Sequence, residues 1–396
     1  MAAPSLLNLV SSSGVPNLLA IQTEPHISNL LRSRIDAGDF PSAVYLVSEN
    51  GKVVFADALG DAVREPEVHP ASLDTVYDLA SLTKPLVTGL LCARRVESGE
   101  LTLDSAAAQY VPEFDRADKH HITIRHLLTH TSGLRAWRPL YLLASEREGA
   151  LAAIANEPLE HEPGERVIYS DLGFITLGCL LEKLTGATLN DLAQREIIGP
   201  LGLQRTFFNP ARAQRTGVAA CESGNAYERD MCESSIDMKA PAKGFGGWRA
   251  GIIWGEVHDG NAYFLGGAAG HAGLFSTAIE TLRLADQFIG ARSKLLSTQT
   301  CELFRQDMTT GLNEARSIAW QLAATKDSTA GPGLPPEAFG HTGFTGTSCW
   351  VDAVRARVFI LLTNRTHHRS LPFANINSVR REFHTLAVAA LDSNHC

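Results

Sequence analysis

A serine and a lysine stand three residues apart at Ser81 and Lys84, directly before Pro85. If a helix begins at Ser81, the two side chains share one helical face and can meet. Pro85 suits that position because the first helical turn leaves its amides without partners anyway. A serine hydroxyl becomes a nucleophile when a base removes its proton, and a lysine can be that base if burial lowers its pKa. The pair therefore indicates acyl transfer, although a helix-capping Ser81 and a solvated Lys84 fit the same spacing.

Two further segments carry groups that would complete such a site. Tyr169-Ser170-Asp171 precedes a helical stripe, and a phenol beside an ammonium can act as a general base. A half-buried packing tyrosine is the ordinary alternative. The segment 340–347 is GHTGFTGT, whose small and hydroxylated residues let a substrate approach a strand edge closely. A plain turn would use the same glycines.

In this order, S-x-x-K, Y-S-x and H-T-G resemble the motifs of the serine β-lactamase and penicillin-binding-protein superfamily. Class A members of that superfamily carry S-x-x-K, S-D-N and K-T-G. Tyr169 and His341 place the resemblance nearer to class C β-lactamases, DD-carboxypeptidases and family VIII carboxylesterases. Three other segments look like those of such proteins, namely LLTHTSGL at 127–134, PLGL at 200–203 and GHAGLFST at 270–277. The resemblance extends from about Glu24 to about Leu391, nearly the whole chain.

This resemblance implies a role for each motif residue. Ser81 would be the nucleophile, and Lys84 and Tyr169 would share the base and acid roles. The backbone N–H groups of Ser81 and Phe344 would form the oxyanion hole. His341 and Thr342 would bind the polar end of the substrate. The substrate-binding residues would be Asp171, His341, Thr342 and Gly343.

Asp171 and His341 depart from the usual motifs. The second motif usually ends in Asn, which can donate and accept hydrogen bonds, whereas an ionised Asp171 only accepts. If Asp171 reaches Lys84, it favours the ammonium and weakens that lysine as a base. If it points away, Tyr169 is left as the main base. His341 stands where many β-lactamases carry Lys, so it attracts a substrate carboxylate less strongly, and its charge depends on pH.

The remaining histidines give no metal pattern. His126 and His130 are four residues apart, but Leu127 follows the first, so the H-E-x-x-H zinc motif is absent. No G-x-S-x-G occurs, which excludes the α/β-hydrolase nucleophile elbow. We expect no metal and no cofactor. One group flanks the Gly-rich run 265–273 and is a candidate border of the cleft: His258, Asp259 and His271.

Strand patterns at the two chain ends and helical patterns between them predict an α+β fold. Asn50-Gly51 between alternating apolar residues is a strong hairpin signal. The run 221–273 shows no period. The predicted helices begin near Glu24, Ser81, Leu172 and Ile376, and the predicted strands are Ser42–Ser48, Lys52–Leu59, Thr347–Asp352 and Arg357–Thr363. The economical architecture is β-lactamase/transpeptidase-like, with an antiparallel sheet built from both chain ends, flanking helices and an inserted, mostly helical lobe.

We expect one catalytic domain over residues 24–396, preceded by an N-terminal extension over 1–23. Within it, residues 24–80 and 300–396 would form an α/β lobe, and residues 81–299 the helical lobe. The sequence shows no repeats and no low-complexity linker that would separate domains.

The 396 residues, of which 44% are hydrophobic and 20% charged, can bury a large core. A net charge of −8 without a Lys/Arg-rich run argues against nucleic acid as a partner. Seven scattered cysteines without C-x-x-C favour free thiols in a reducing compartment. The first basic residue is Arg32, so a signal peptide is not expected, and no apolar run is long enough to span a membrane. We predict a cytoplasmic protein with no membrane partner, and the sequence leaves its oligomeric state open.

The expected function is that of a serine hydrolase that forms an acyl-enzyme. A carboxylesterase acting on small esters or amides is preferred, since no export signal is seen and cell-wall peptides lie outside the cytoplasm. A DD-carboxypeptidase or a β-lactamase is the near alternative, so the substrate would be a small ester, amide or β-lactam. The third possibility is a catalytically weak protein of the same fold that serves in binding or scaffolding. Among the motif residues, only Asp171 supports it.

Overall fold

The structure is a computed structural model that describes residues 22–394. The expected extension over residues 1–23 lies almost wholly outside this range. The strands are β1 (Ser42–Glu49), β2 (Lys52–Val63), β3 (His69–Pro70), β4 (Tyr77–Asp78), β5 (Phe275–Ser276), β6 (Gln321–Leu322), β7 (Phe339–Thr342), β8 (Ser348–Asp352) and β9 (Arg357–Thr363). The α-helices are α1 (Pro25–Asp36), α2 (Leu90–Glu97), α3 (Ile124–Leu128), α4 (Leu140–Leu143), α5 (Ala150–Asn156), α6 (Asp171–Thr185), α7 (Leu189–Ala193), α8 (Gly199–Leu201), α9 (Ala226–Ser234), α10 (Lys239–Gly244), α11 (Gly260–Phe264), α12 (Ala278–Ala285), α13 (Thr298–Leu303) and α14 (Asn377–Ser393).

Seven strands form one antiparallel sheet in the order β3-β2-β1-β9-β8-β7-β6. The two chain ends meet at its centre, where Ala43 of β1 lies opposite Thr363 of β9. The first hairpin turns at Asn50 and Gly51, which both have positive φ, as the tight turn predicted from this pair requires. The sheet is therefore built from both ends of the chain.

Both faces of the sheet are buried. Along β1, Ala43, Tyr45 and Val47 belong to one apolar cluster, and Val44 and Leu46 belong to the other. This alternation follows from side chains pointing to opposite faces of a strand. Helices α1 and α14 pack on one side of the sheet and α12 on the other. The central strands are thus held rigidly, and β7 and β8 carry the third motif at one end.

One expectation about a helix needs correction. The predicted helix from Ser81 is not continuous, because a 3₁₀ turn (Ala80–Leu82) and a π-helical segment (Lys84–Gly89) precede α2. Pro85 has no N–H to give to a regular α-helical bond, which favours such an irregular start. The run 221–273, which shows no period, contains the short helices α9, α10 and α11. Segments of five to nine residues are too short for a clear helical repeat.

Within residues 22–394, no single helix is both long and apolar enough to cross a membrane. By length and composition alone, one pair of helical segments bent by 79° could do so, Asp171–Thr185 with Leu189–Leu201.

Candidate active site

Ser81 lies in a strained turn directly after β4. Ala80 has a φ of 48°, in the left-handed region that costs a residue with a Cβ about 1–2 kcal/mol. The Ala80 N–H donates to Asp78 Oδ1 at 2.8 Å, and the Thr83 hydroxyl donates to the Ala80 carbonyl at 2.7 Å. These two hydrogen bonds hold the turn that presents Ser81.

Oxygen atoms from several segments surround the ammonium of Lys84, which is fully buried. Its Nζ donates to Ser81 Oγ at 2.9 Å and to the His271 carbonyl oxygen at 3.1 Å. Asp171 Oδ1 lies 2.6 Å from the same nitrogen. The structure therefore brings the first two motifs together, and Asp171 reaches Lys84 rather than pointing away.

The charge state of Lys84 follows from these neighbours. Burial disfavours the ammonium, but the Asp171 carboxylate and Tyr169 outweigh burial, so the pKa of Lys84 is raised above its ordinary value. Lys84 is then a cation at neutral pH. It stabilises negative charge near Ser81 but has no lone pair ready to accept a proton.

Tyr169 lies beside this ammonium, with Lys84 Nζ 4.9 Å from its ring centroid. Burial raises the pKa of Tyr169, and the nearby Lys84 charge only partly offsets it, so the phenol keeps its proton at neutral pH. The ring of His130 lies 4.6 Å from that of Tyr169, and the Ser170 N–H donates to His130 Nδ1 at 2.9 Å. From the sequence, His130 was weighed only as a possible metal ligand. Its place in the segment 127–134 was the signal that could have linked it to the site.

Helix α6 positions Asp171. The Ser170 hydroxyl accepts from the Gly173 N–H at 3.2 Å and caps the helix, so Asp171 is its first residue. A carboxylate is favourable there because the first turn of a helix carries partial positive charge. The same cap fixes Tyr169 just before the helix.

The third motif is bonded to the nucleophile turn. The Thr345 hydroxyl donates to the Asp78 carbonyl at 2.7 Å, and the Thr347 hydroxyl donates to the Leu79 carbonyl at 2.9 Å. A Cβ on Gly343 would lie 2.5 Å from the Leu79 oxygen, so only glycine allows this approach. Phe344 follows directly and lines the same cleft as Ser81.

The group that flanks the run 265–273 contacts the site through His271. The carbonyl oxygen of His271 accepts a hydrogen bond from Lys84 Nζ. The Nε2 atom of the His271 ring lies 2.8 Å from Asp259 Oδ1. Burial alone would raise the pKa of Asp259, but the His271 partner outweighs it and lowers that pKa. The loop between α11 and β5 therefore supplies one of the oxygens around Lys84.

A cleft of about 430 Å³ opens above Ser81. Its lining includes every predicted motif residue except the buried Lys84: Ser81, Tyr169, Asp171, His341, Thr342, Gly343 and Phe344. The predicted border residues His258, Asp259 and His271 do not line it. Three arginines and a second aspartate also line it and were missed, because no motif marks them: Arg316, Asp327, Arg365 and Arg380. Among residues 22–394, no group of three or more His, Cys, Asp or Glu side chains is arranged to hold a metal ion.

Comparison with known proteins assigns this site to a family. The family described as Beta-lactamase matches residues 27–379. An Escherichia coli (strain K12) protein named "Putative D-alanyl-D-alanine carboxypeptidase" is 30% identical over 371 residues, which cover 85% of this chain and 81% of the relative. The chain therefore belongs to the Beta-lactamase family, and it is a hydrolase of the serine β-lactamase type.

Solved structures show the same fold. EstCE1, described as a hydrolase with promiscuous acyltransferase activity, has a TM-score of 0.70 at 24% identity and covers 91% of this chain and 97% of its own. A penicillin-binding protein homologue from Caulobacter crescentus has a TM-score of 0.70 at 21% identity, with 93% and 98% covered. The predicted fold class is confirmed. The roles of the individual site residues stay predictions.

Proposed function

We propose that the protein hydrolyses small esters, and amides more slowly, through an acyl-enzyme on Ser81. The observation that carries this proposal is the Ser81 hydroxyl 2.9 Å from the buried Lys84 ammonium, beside Tyr169 and open to the cleft. Ser81 Oγ attacks the carbonyl carbon, and the N–H groups of Ser81 and Phe344 stabilise the oxyanion. The alcohol or amine leaves, and water then cleaves the acyl-enzyme.

The charge of Lys84 favours esters over amides. An amine must gain a proton before it leaves, whereas an alkoxide or phenolate leaves more readily. Because Asp171 raises the pKa of Lys84, this ammonium is a weak proton donor as well as an unavailable base. A site with such a weak proton donor is therefore expected to cleave esters faster than amides.

The arginines support a substrate that carries a carboxylate. Arg365 donates to the carbonyls of Phe344 and Ala374, and Arg380 donates to those of Gly343 and Thr347. In the described part of the chain, the hydrogen-bond partners of both guanidiniums are uncharged: backbone carbonyls and the Asn377 side chain. Burial lowers the pKa of Arg380 to about 9, which leaves it charged at neutral pH. Two uncompensated charges beside the third motif attract an anionic end of the substrate.

A DD-carboxypeptidase is the second candidate, and the same arginines favour it. Its substrate ends in a free carboxylate beside the scissile amide, and the Escherichia coli relative bears that name. A β-lactam also carries a carboxylate, so a β-lactamase remains part of this second candidate. A cytoplasmic location stays a prediction, which fractionation of the source cells tests.

Intact-protein mass spectrometry over time tests the proposal. The probes are p-nitrophenyl butyrate, mono-p-nitrophenyl succinate, benzylpenicillin, a cephalosporin and a peptide ending in D-Ala-D-Ala. We expect a transient acyl adduct on Ser81 from the esters, absent in Ser81→Ala. A long-lived penicilloyl adduct together with hydrolysis of the peptide would establish a DD-carboxypeptidase instead. Rapid hydrolysis of the β-lactams would establish a β-lactamase. If no probe forms an adduct on Ser81, the result would support a binding protein instead of an enzyme.

An arginine variant tests the substrate's charge. In Arg365→Gln we expect the preference for the succinate ester over the uncharged butyrate ester to fall about 10-fold, the scale of a lost charge-assisted contact. The readout is the ratio of kcat/KM for the two esters. Arg355→Gln, whose side chain is 52% exposed, is the control. An unchanged ratio in Arg365→Gln would assign the carboxylate to other groups.

A further inference from the structure

Within residues 22–394, a second cavity of about 220 Å³ shares no lining residue with the Ser81 cleft. Its walls come from α4, from the segment that follows α10 and from α11. An apolar cavity of about 150 Å³ can hold a benzene molecule, so this cavity has room for a substituted aromatic ring. Its lining is mainly aromatic and includes Tyr141, Phe245, Trp248, Tyr263 and Phe264.

The rings of one wall support one another. The ring centroid of Tyr141 lies 5.4 Å from that of Phe245 and 5.8 Å from that of Trp248. Phe245 and Trp248 meet edge to face with their centroids 5.1 Å apart. Because aromatic rings favour such contacts, this wall is formed before any ligand arrives and offers further ring faces and edges.

Arg249 adds a positive charge to the cavity. Its guanidinium lies over the ring of Tyr263, with Cζ 4.5 Å from the ring centroid. In the described part of the chain, its hydrogen-bond partners are uncharged: the Asn225 side chain and the carbonyl oxygens of Val257 and His258. A guanidinium has five N–H donors, of which these contacts use three. The partners hold the group in place without neutralising it.

Asn225 supplies a second donor to the same cavity. Its Oδ1 accepts from the backbone N–H of Arg249 at 3.0 Å and from Arg249 Nε at 3.1 Å, which fixes the orientation of the amide. Among residues 22–394, both hydrogen bonds of this side chain use the oxygen, so Nδ2 is left without a partner. Asn225 is only 9% exposed. A buried donor of this kind gains from a ligand that accepts its hydrogen bond.

Glu228 lies behind the aromatic wall and does not cancel the charge of Arg249. Its carboxylate oxygens accept from the Gly260 N–H at 2.7 Å and from the Tyr141 hydroxyl at 2.8 Å. Burial raises the pKa of Glu228 to about 7, so much of this group is uncharged at neutral pH. The cavity therefore combines aromatic walls with a cation and a free amide donor, which together favour an anionic oxygen on the ligand.

We propose that this cavity is a binding site for a small aromatic carboxylate. The ring of the ligand packs among the aromatic side chains, and its carboxylate accepts from Arg249 and from Asn225 Nδ2. Binding here uses no group of the Ser81 site. The inference thus goes beyond the proposed function and does not depend on it.

Isothermal titration calorimetry of the full chain with phenylacetate tests the site, and 2-phenylethanol is the uncharged ligand with the same ring. We expect Ser81→Ala to bind phenylacetate as the wild type does. Arg249→Gln should bind it about 10-fold more weakly, the scale of a lost charge-assisted hydrogen bond. Asn225→Asp keeps an acceptor for Arg249 but places a carboxylate there, so it should weaken phenylacetate at least as much and change 2-phenylethanol little.

Tyr263→Leu tests the aromatic part of the site. Its side chain is 48% exposed, so the change leaves the core intact, and the loss of one ring should weaken both ligands. Arg229→Gln is the control for the charge change. Arg229 is an exposed arginine of α9 that pairs with Glu233 and does not line the cavity, so this variant should bind phenylacetate like the wild type.

Arg365→Gln separates this cavity from the Ser81 cleft, whose arginines also attract carboxylates. We expect wild-type affinity for phenylacetate in this variant. Weaker binding in Arg365→Gln together with wild-type binding in Arg249→Gln would place phenylacetate in the cleft and overturn the inference. Equal affinity in the wild type, Arg249→Gln and Asn225→Asp would also overturn it, as would the absence of saturable binding to the wild type.

Discussion

Around Ser81, single residues decide which group can hold a proton. Asp171 lies 2.6 Å from Lys84 Nζ and keeps that lysine charged, while burial and then the nearby cations lower the pKa of His341 and keep its imidazole neutral. The effect of Asp171 acts over one contact, so a substitution that keeps the shape of its side chain can remove it. The protonation states of the site are therefore open to direct test.

Asp171→Asn should free Lys84 as a base. The amide no longer stabilises the ammonium, so the pKa of Lys84 falls, and each unit of that fall gives up to about 10 times more free amine at a given alkaline pH. We expect the p-nitrophenol burst from p-nitrophenyl acetate, whose rate measures acylation of Ser81, to become faster than in the wild type between pH 7 and 9.

A pH profile of the burst from pH 6 to 10 checks this expectation. Asp191→Asn, an exposed acidic residue in the first turn of α7, is the control. A profile for Asp171→Asn that matches the wild type would show that Asp171 does not hold the charge of Lys84.

Asp78→Asn should weaken the nucleophile turn. Its two carboxylate oxygens accept the N–H groups of Ala80 and His258, both at 2.8 Å, and an amide can accept only one of them. A buried N–H left without a partner costs about 1–3 kcal/mol. We expect that loss in the free energy of unfolding in urea, together with a slower burst. The exposed Asp74→Asn should change neither, and unaltered stability in Asp78→Asn would refute the role given to its carboxylate.

Among the elements, α6 and the loop before β5 place their groups on Lys84 together. Helix α6 contributes Asp171, and the loop contributes the His271 carbonyl. The two segments touch at Gly270, where a Cβ would lie 2.0 Å from the Phe174 carbonyl oxygen. This contact is between backbones, so no side chain can move aside to relieve it.

Gly270→Ala should therefore destabilise the protein by about 1–3 kcal/mol, the usual cost of overpacking. It should also draw the His271 carbonyl away from Lys84 and slow the Ser81 burst. Urea unfolding and the burst assay measure the two effects. Gly244→Ala, where no atom lies within 4 Å of the added methyl, is the control. If Gly270→Ala and the wild type unfold at the same midpoint urea concentration, the close packing at Gly270 would be contradicted.

At the scale of the whole molecule, the sheet formed by both chain ends buries titratable groups between its layers. His384 of α14 lies against the sheet beside Trp350 and Phe359. Burial lowers the pKa of His384 to about 3. In the unfolded chain this histidine takes a proton near pH 6.5, so the unfolded state binds more protons over the range between these two values.

Stability must then fall as pH decreases from about 6.5 towards about 3, by about 1.4 kcal/mol per pH unit for this one group. His384→Gln removes the titration, so the stability of the wild type relative to this variant should decrease between pH 6 and 4.5. Urea unfolding of both proteins at several pH values measures that difference. A difference that does not change with pH would mean that His384 is protonated in the folded state as well.

Patterns of neighbouring residues in the sequence predicted much of the fold. The Asn50-Gly51 turn and the apolar repeat of α6 involve residues a few positions apart, and the structure places both elements within a few residues of their predicted bounds. The irregular start at Ala80–Leu82 and the helices α9 to α11 were missed. A strained turn depends on hydrogen bonds from distant segments, and short helices depend on what they pack against.

The sequence by itself determined that Ser81, Lys84, Tyr169 and His341 belong to motifs of one family, because motif residues keep their types and order along the chain. Only the tertiary structure decided their protonation states and their further neighbours. The His271 carbonyl that accepts from Lys84 is 187 positions away along the chain, and Arg316, Arg365 and Arg380 reach the cleft from separate elements. Charge and pKa depend on distance in space and on burial, and neither is encoded by the spacing of residues along the chain.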